Sequence, residues 1–169
     1  GMGFIEETGA AQMMRDARIL PIYEGTNGIQ ANDLMFRKTL RDDGKTAIDL
    51  LLKVKEDVKD NSKIFKYVQL CEDIIGYIID NKDDKEGLSC VSYDYMMGFG
   101  YLIGAWLMNK SKLKAIEKLQ TGEPDTDFLK DKIISSDFYN LHILPRVSLH
   151  FKVVQNGSKV ILETSDSYV

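Results

Sequence analysis

Helical periodicity dominates the pattern of apolar and polar positions along the 169-residue chain, and only 3 prolines interrupt it. Residues 4–18 are rich in Ala, Met, Glu and Gln, which favour helix, and they predict a first helix. The pattern breaks over residues 19–26, which contain a proline and a glycine. A second helix is predicted to begin at Asn27 or Gly28, with Thr26 or Asn27 as its N-cap, and to end near residue 42.

Four amphipathic segments follow from residue 46, each with apolar side chains at the three- and four-residue spacing of a helix face. The third segment ends at TGEPD, where Gly122 is placed as a C-terminal cap. In the fourth, over residues 126–154, Pro145 removes the hydrogen bond to the carbonyl of Leu141, which predicts a kink. Short polar turns between such helices predict an all-α, up-down four-helix bundle preceded by one or two helices. The predicted inward positions are Ile48, Leu51, Leu52 and Val58; Ile64, Val68, Cys71, Ile75, Ile78 and Ile79; Val91, Tyr95, Phe99, Leu102, Trp106, Leu113 and Ile116; and Leu129, Ile133, Leu141, Leu144, Val147 and Phe151.

Small residues interrupt the long third segment of the bundle. Gly98, Gly100 and Gly104 each cost up to ~1 kcal/mol of intrinsic helix stability. We interpret them as positions where a neighbouring helix crosses at close range.

Composition and charge narrow the classes of protein and the kinds of site that the chain can represent. Hydrophobic content of 44% and charged content of 28% are ordinary for a soluble globular protein. The net charge of −4, with acidic and basic residues mixed, argues against a nucleic-acid surface, which needs clustered positive charge. Two cysteines, Cys71 and Cys90, are interpreted as buried reduced thiols, with a disulfide or redox pair as the alternative. His142 and His150 lack a third ligand at a plausible spacing, so no metal site is expected.

Targeting signals are not evident in the sequence. No apolar run approaches the roughly 20 residues that cross a bilayer, so no transmembrane segment is expected. The N-terminus shows no signal-peptide pattern, and we expect a cytoplasmic location. The opening Gly-Met is typical of a cleavage remnant before an initiator methionine, which leads us to expect a piece of a longer polypeptide.

The stretch PIYEGTNGIQ, residues 21–30, carries the candidate chemistry. Gly25 allows another molecule to approach the backbone closely. The amides of Thr26, Asn27 and Gly28 at a helix N-terminus attract anionic or ribose groups. Glu24, desolvated by an apolar ligand, would have its pKa raised toward that of a useful general base. The alternative is an ordinary helix-linking turn with a solvated glutamate.

The stretch GFIEETGAAQMMRDARILPIYEGTNGIQANDLMFRK resembles the C-terminal end of the acyl-CoA dehydrogenase family, with RDARI, IYEGT and IQ in the family's order. Residues 101–147 are similar to the extra C-terminal helical domain of a long-chain branch of that family. The resemblance implies a division into residues 1–45, the end of the catalytic helical domain with the YEGT turn, and residues 46–169, an additional helical bundle.

The resemblance also implies roles for single residues. Glu24 would be the catalytic base that removes the α proton of an acyl-CoA thioester, while the β hydrogen leaves as hydride to FAD. Gly25 would lie against the substrate, and Thr26, Asn27 and Gly28 would contact FAD. Many family members have Gln where this chain has Gly28, which leaves only a backbone contact there. The implied partners are an acyl-CoA substrate, an electron-transfer flavoprotein and further copies of the chain in a homo-oligomer.

The family fold places FAD between an N-terminal helical domain, a middle β domain and a C-terminal helical domain. We therefore expect the 169-residue chain alone to bind FAD weakly or not at all and to be inactive. Two alternatives stay open. One is a helical interaction or oligomerisation module, and the other is a DNA-associated flavoprotein of the alkylation-response branch, against which the net charge argues.

Overall fold

Helices form all the regular structure of the computed structural model, which describes residues 1–23 and 25–164 and has no strand within them. The predicted all-α class is confirmed. The α-helices are α1 Ala10–Ile19, α2 Asn27–Asn32, α3 Lys45–Asp57, α4 Ser62–Asp80, α5 Lys85–Gln120, α6 Thr126–Phe138, α7 Arg146–Asn156 and α8 Ser158–Leu162. Shorter turns are 3₁₀ at Met2–Phe4, Glu6–Thr8 and Leu40–Asp42, and π at Asp33–Thr39 and Tyr139–Ile143.

The first helix is shorter than predicted. Two 3₁₀ turns occupy the region where residues 4–8 were expected to be helical, and α1 begins only at Ala10. Gly9 separates the two parts because its φ of 77° is left-handed and cannot continue a right-handed helix. The prediction of a helix from residue 4 was therefore wrong at its start by six residues, or about 1.7 turns.

The second helical segment has the predicted length. α2 continues without interruption into the π-turn and the 3₁₀ turn that ends at Asp42. The chain then reverses at Asp43 and Gly44, whose φ values are 51° and 79°. A Cβ on Gly44 would lie 2.7 Å from Ile79 Cδ1, so glycine favours both the left-handed backbone and the close contact with α4.

The long helix α5 lies at the centre of the bundle. Its 36 residues correspond to about 54 Å at the standard rise, enough to pack against α4, α6, α7 and α2. Short turns connect α3, α4, α5 and α6 in succession, as expected for up-down neighbours. The buried apolar side chains form one continuous cluster that extends along the chain from Met35 to Val154.

The last predicted helix was expected to be kinked, but it is divided into two helices. After α6, a π-turn places the amide of Leu144 2.9 Å from the carbonyl of Tyr139, and α7 begins at Arg146 directly after Pro145. Proline has no N–H to continue the helix, and its fixed φ suits a helix start. The break thus lies at the predicted position, but it divides the segment into two helices.

Three predicted core residues are exposed instead: Leu52 (53%), Leu113 (54%) and Leu141 (68%). Leu52 lies one position beyond the fully buried Leu51, about 100° around the helix, so only one of the two faces the core. Leu141 lies inside the π-turn, whose wider spacing changes which side chains face α5. Within the described residues, no helix combines the length and the apolar run that a bilayer crossing requires.

Candidate active site

The candidate site is the connection between α1 and α2. After α1, the amides of Ile22 and Tyr23 both donate to the carbonyl of Ile19, at 3.0 and 2.9 Å, which closes a tight turn. Glu24, the predicted catalytic base, lies outside the described residues. Its role stays a prediction.

Gly25 has the backbone conformation that makes glycine necessary. Its φ is 111°, a region that L side chains rarely adopt. A Cβ at this position would also lie 3.3 Å from Ile29 Cγ2, closer than an ordinary contact. A side chain here would therefore strain the turn and reduce the space over the backbone that a ligand needs.

Thr26, one of the two N-caps that the sequence predicted, caps α2. Its backbone is extended, with φ −70° and ψ 163°, and its Oγ accepts the amide of Ile29 at 3.5 Å. The carbonyl of Thr26 accepts the first helical hydrogen bond, from Gln30 at 3.0 Å. The amides of Asn27 and Gly28, in the first turn of the helix, have no intrahelical carbonyl to bind.

The site is an open surface. Thr26, Asn27 and Gly28 are exposed residues, and so are the neighbouring Tyr23 and Ile29. The free first-turn amides fit a cofactor that presents acceptor oxygens, such as ribose or phosphate groups, and the exposed apolar side chains fit a flat or apolar partner. The described part of the turn is therefore an open surface with helix-end amides available to a ligand.

A larger cavity lies elsewhere. It has a volume of about 480 Å³ and lies between α5 and α6, lined by Lys114, Lys118, Phe128 and Lys132 among others. None of the turn residues that the structure describes lines it. The cavity is therefore not part of the site that the sequence predicts.

The remaining chemically active side chains have structural surroundings. His150 Nδ1 lies 2.7 Å from Asp94 Oδ1, and His142 stacks on Phe138 with ring centroids 4.5 Å apart. Cys71 is buried and Cys90 half-buried, and both are free thiols. Burial raises the pKa of the Cys71 thiol far above its ordinary value, which disfavours the nucleophilic thiolate. Among the described residues, no cluster of His, Cys, Asp and Glu could hold a metal ion.

Sequence reasoning missed Ala31, Met35 and Thr39, which hold α2 in place, although it did predict that Tyr95 faces inward. Ala31 and Met35 are fully buried, and the hydroxyls of Thr39 and Tyr95 lie 2.9 Å apart in the core. Only the helical spacing of Ala31 and Met35 signals that this face is covered. The pairing of Thr39 with Tyr95 joins residues 56 positions apart and has no local signature.

Comparisons with known proteins match both parts of the chain. The family model described as "Acyl-CoA dehydrogenase, C-terminal domain" matches residues 1–38, and the one described as "Acetyl-CoA dehydrogenase C-terminal like" matches residues 58–165. The chain is 34% identical to a 3-methylmercaptopropionyl-CoA dehydrogenase of Ruegeria pomeroyi, over 95% of this chain and 29% of that protein. It is 27% identical to a broad-specificity linear acyl-CoA dehydrogenase of Mycobacterium tuberculosis, over 99% of this chain and 30% of that protein. A butyryl-CoA dehydrogenase of Syntrophomonas wolfei is 28% identical over 87% of this chain and 26% of its own length. The chain thus spans less than a third of the length of these relatives.

Proposed function

Because the chain belongs to the acyl-CoA dehydrogenase family, we propose that a polypeptide containing it catalyses α,β-dehydrogenation of an acyl-CoA thioester. Residues 24–28 form one wall of the active site in this proposal. The observation that carries it is the left-handed Gly25 directly before the Thr26 cap, because this geometry presents an open backbone and free amides at one place. The division into residues 1–45, with the site, and residues 46–169, the additional bundle, belongs to the same proposal.

Glu24 acts as the base. Its carboxylate takes the proton from Cα of the thioester, the electron pair of that bond forms the Cα=Cβ double bond, and the β hydrogen leaves with its electron pair. FAD, when bound, supplies the acceptor for that hydride. The backbone of Gly25 lies against the acyl thioester, where a side chain would obstruct it. Thr26, Asn27 and Gly28 hold the cofactor through their backbone and the helix N-terminus.

The partners follow from the family. The substrate class is acyl-CoA, an electron-transfer flavoprotein receives the electrons, and the location is the cytoplasm. Assembly into a homo-oligomer is supported by exposed apolar side chains on the outer face of α6 and the following π-turn, namely Ile134, Phe138 and Leu141.

The 169-residue chain alone is proposed to bind FAD weakly or not at all and to be inactive. Residues 26–29 are exposed, and the chain spans less than a third of its relatives, so it offers one wall where a flavin needs several. An isolated helix end of this kind lacks the enclosed, dry surroundings in which proton abstraction from a weak carbon acid is efficient.

The test is Glu24→Gln in a polypeptide that extends this chain to the length of its relatives. The amide keeps the size of the side chain but cannot take a proton, so kcat is expected to fall by about 10²–10⁴-fold while the flavin absorbance band is retained. Glu7→Gln, the same substitution on an exposed residue outside the turn, is the control and is expected to keep full turnover. Normal turnover of the Glu24→Gln enzyme would exclude the proposed role.

A further inference from the structure

We propose that Tyr95 on α5 is a positioning residue for the active-site turn, because its hydroxyl holds the helical segment that begins at Thr26. This inference rests on the proposed function, since the turn matters for turnover only if it carries the base. It gives the additional bundle a direct part in catalysis, beyond stability.

The hydrogen bond that carries the proposal is buried and has a defined direction. Thr39 Oγ donates its one proton to the carbonyl of Leu34, 3.0 Å away. The Tyr95 hydroxyl, 2.9 Å from the same oxygen, must therefore be the donor in the Tyr95–Thr39 bond. Burial raises the pKa of Tyr95 well above its ordinary value, so the phenol keeps this proton at all physiological pH values.

The bond stabilises an unusual piece of backbone. Leu34 and Thr39 both belong to the π-helical segment Asp33–Thr39, which directly continues α2. A π-turn is rare and needs support from its surroundings. The Thr39 side chain supports the π-turn from within by donating to the Leu34 carbonyl.

Contacts with α5 hold α2 and the π-turn that follows it. Ala31 and Met35 are fully buried where α2 and its π-turn meet α5, and Thr39 binds Tyr95. The opposite end, from Thr26 to Ile29, is exposed. Within the part of the chain that the structure describes, the orientation of the turn is thus set from the α5 side.

A small tilt of the helical segment at Thr39 displaces the turn at its other end by a larger distance. Thirteen residues separate Thr39 from Thr26, or about 20 Å at the rise of an α-helix, so a tilt of about 3° moves the turn by about 1 Å. A displacement of about 1 Å at reacting groups can cost up to about 100-fold in rate. Loss of one hydroxyl group can therefore affect turnover without unfolding the chain.

The experiment uses Tyr95→Phe and Thr39→Val in the extended, FAD-loaded polypeptide. Phe keeps the ring packed against Phe99, 5.9 Å away between centroids, and removes only the donor. We expect kcat to fall about tenfold with KM changed less than about twofold, because proton abstraction is affected and binding is not. Thr39→Ser keeps the hydroxyl and is expected to retain at least half of the kcat.

A matched control distinguishes the positioning role of Tyr95 from a general contribution to stability. Ile64→Val removes one methyl group from a fully buried position on α4 and lowers stability through lost packing, without touching the Tyr95–Thr39 bond. It is expected to leave kcat unchanged. An equal loss of kcat in Ile64→Val and Tyr95→Phe would overturn the proposal.

Hydrogen exchange on the 169-residue chain provides a measurement that does not depend on activity. Tyr95→Phe is expected to speed amide exchange of residues 30–33, whose amides are hydrogen-bonded within the helix, about tenfold while α6 and α7 are unchanged. Unchanged exchange in residues 30–33 would overturn the proposal.

The Glu24→Gln enzyme distinguishes a failure of the positioning role of Tyr95 from a failure of the proposed function. If Glu24→Gln abolishes turnover and Tyr95→Phe and Thr39→Val keep normal kcat, the positioning role is wrong and the proposed function stands. If Glu24→Gln keeps turnover, the proposed function fails, and the positioning role fails with it.

Discussion

Two glycines on α5 mark the places where side chains from later in the chain reach its backbone. A Cβ on Gly98 would overlap the ring of Phe151 on α7, and one on Gly104 would overlap the hydroxyl of Tyr139 in the second π-turn. A Cβ on Gly100, between them, would have no neighbour within 4 Å. The close approach is therefore specific to two positions, and the cost of glycine in a helix is offset there by contact with an aromatic ring.

Substitution by alanine distinguishes these positions. Gly98→Ala is expected to lower the free energy of unfolding by about 1–3 kcal/mol, because the buried Phe151 ring has no space to move. Gly100→Ala, two residues away, is expected to raise it by about 0.5–1 kcal/mol, because alanine is the better helix former. Chemical denaturation of both variants measures the difference. A Gly98→Ala protein at least as stable as Gly100→Ala would show that the ring is not tightly packed.

At the scale of elements, boundaries that depend on neighbouring residues were predictable. Thr26 caps its own helix, and Gly122 has the positive φ of 76° expected just after α5. The π-turn Tyr139–Ile143 was not predictable, because it is held by a distant partner: the Tyr139 hydroxyl donates to the carbonyl of Tyr101, 3.2 Å away. The same division applies to the site, where the Gly25–Thr26 geometry is local and the support from Tyr95 is not.

The end of α3 is connected to α5 by one carboxylate. Asp57 Oδ2 accepts the indole N–H of Trp106 at 2.9 Å and the ammonium group of Lys110 at 3.1 Å. The hydrogen bond from Trp106, followed by that from Lys110, holds the pKa of Asp57 below its ordinary value of 3.8. The folded state therefore favours the ionised carboxylate more than the unfolded state does.

This link predicts a pH dependence of stability. A carboxyl group whose pKa is lowered on folding stabilises the protein above its unfolded pKa, and that contribution is lost as pH falls through the folded value below 3.8. Asp57→Asn is therefore expected to be less stable than the unmodified chain at pH 6–7, with the difference shrinking below about pH 4. Chemical denaturation of both proteins at several pH values measures the difference in their free energies of unfolding. Asp49→Asn, an exposed aspartate on the same helix, is the control, and a pH-independent difference for Asp57→Asn would contradict the prediction.

For the whole molecule, burial is distributed unevenly between the N-terminal segment and the rest. α1 has no buried residue, and the exposed Met13, Leu20 and Tyr23 contribute nothing to the core. The core nevertheless extends across the proposed division at residues 45 and 46, because Met35 belongs to the same buried cluster as α3, α4, α5 and α7. The N-terminal segment is thus exposed over α1, whereas its second part, with Met35, is packed into the bundle.

Truncation tests this distribution. A chain of residues 25–169 is expected to have a free energy of unfolding within about 1 kcal/mol of that of the 169-residue chain, because none of residues 1–23 is buried. A chain of residues 46–169 is expected to lose about 4 kcal/mol or more, since it lacks the buried Met35 side chain and leaves the Tyr95 hydroxyl without its acceptor. Such a loss is a large part of the stability of a domain this size, so the shorter chain should be partly unfolded at room temperature. Circular dichroism during urea denaturation measures both, and a fully stable 46–169 chain would show that the bundle does not need the site helix.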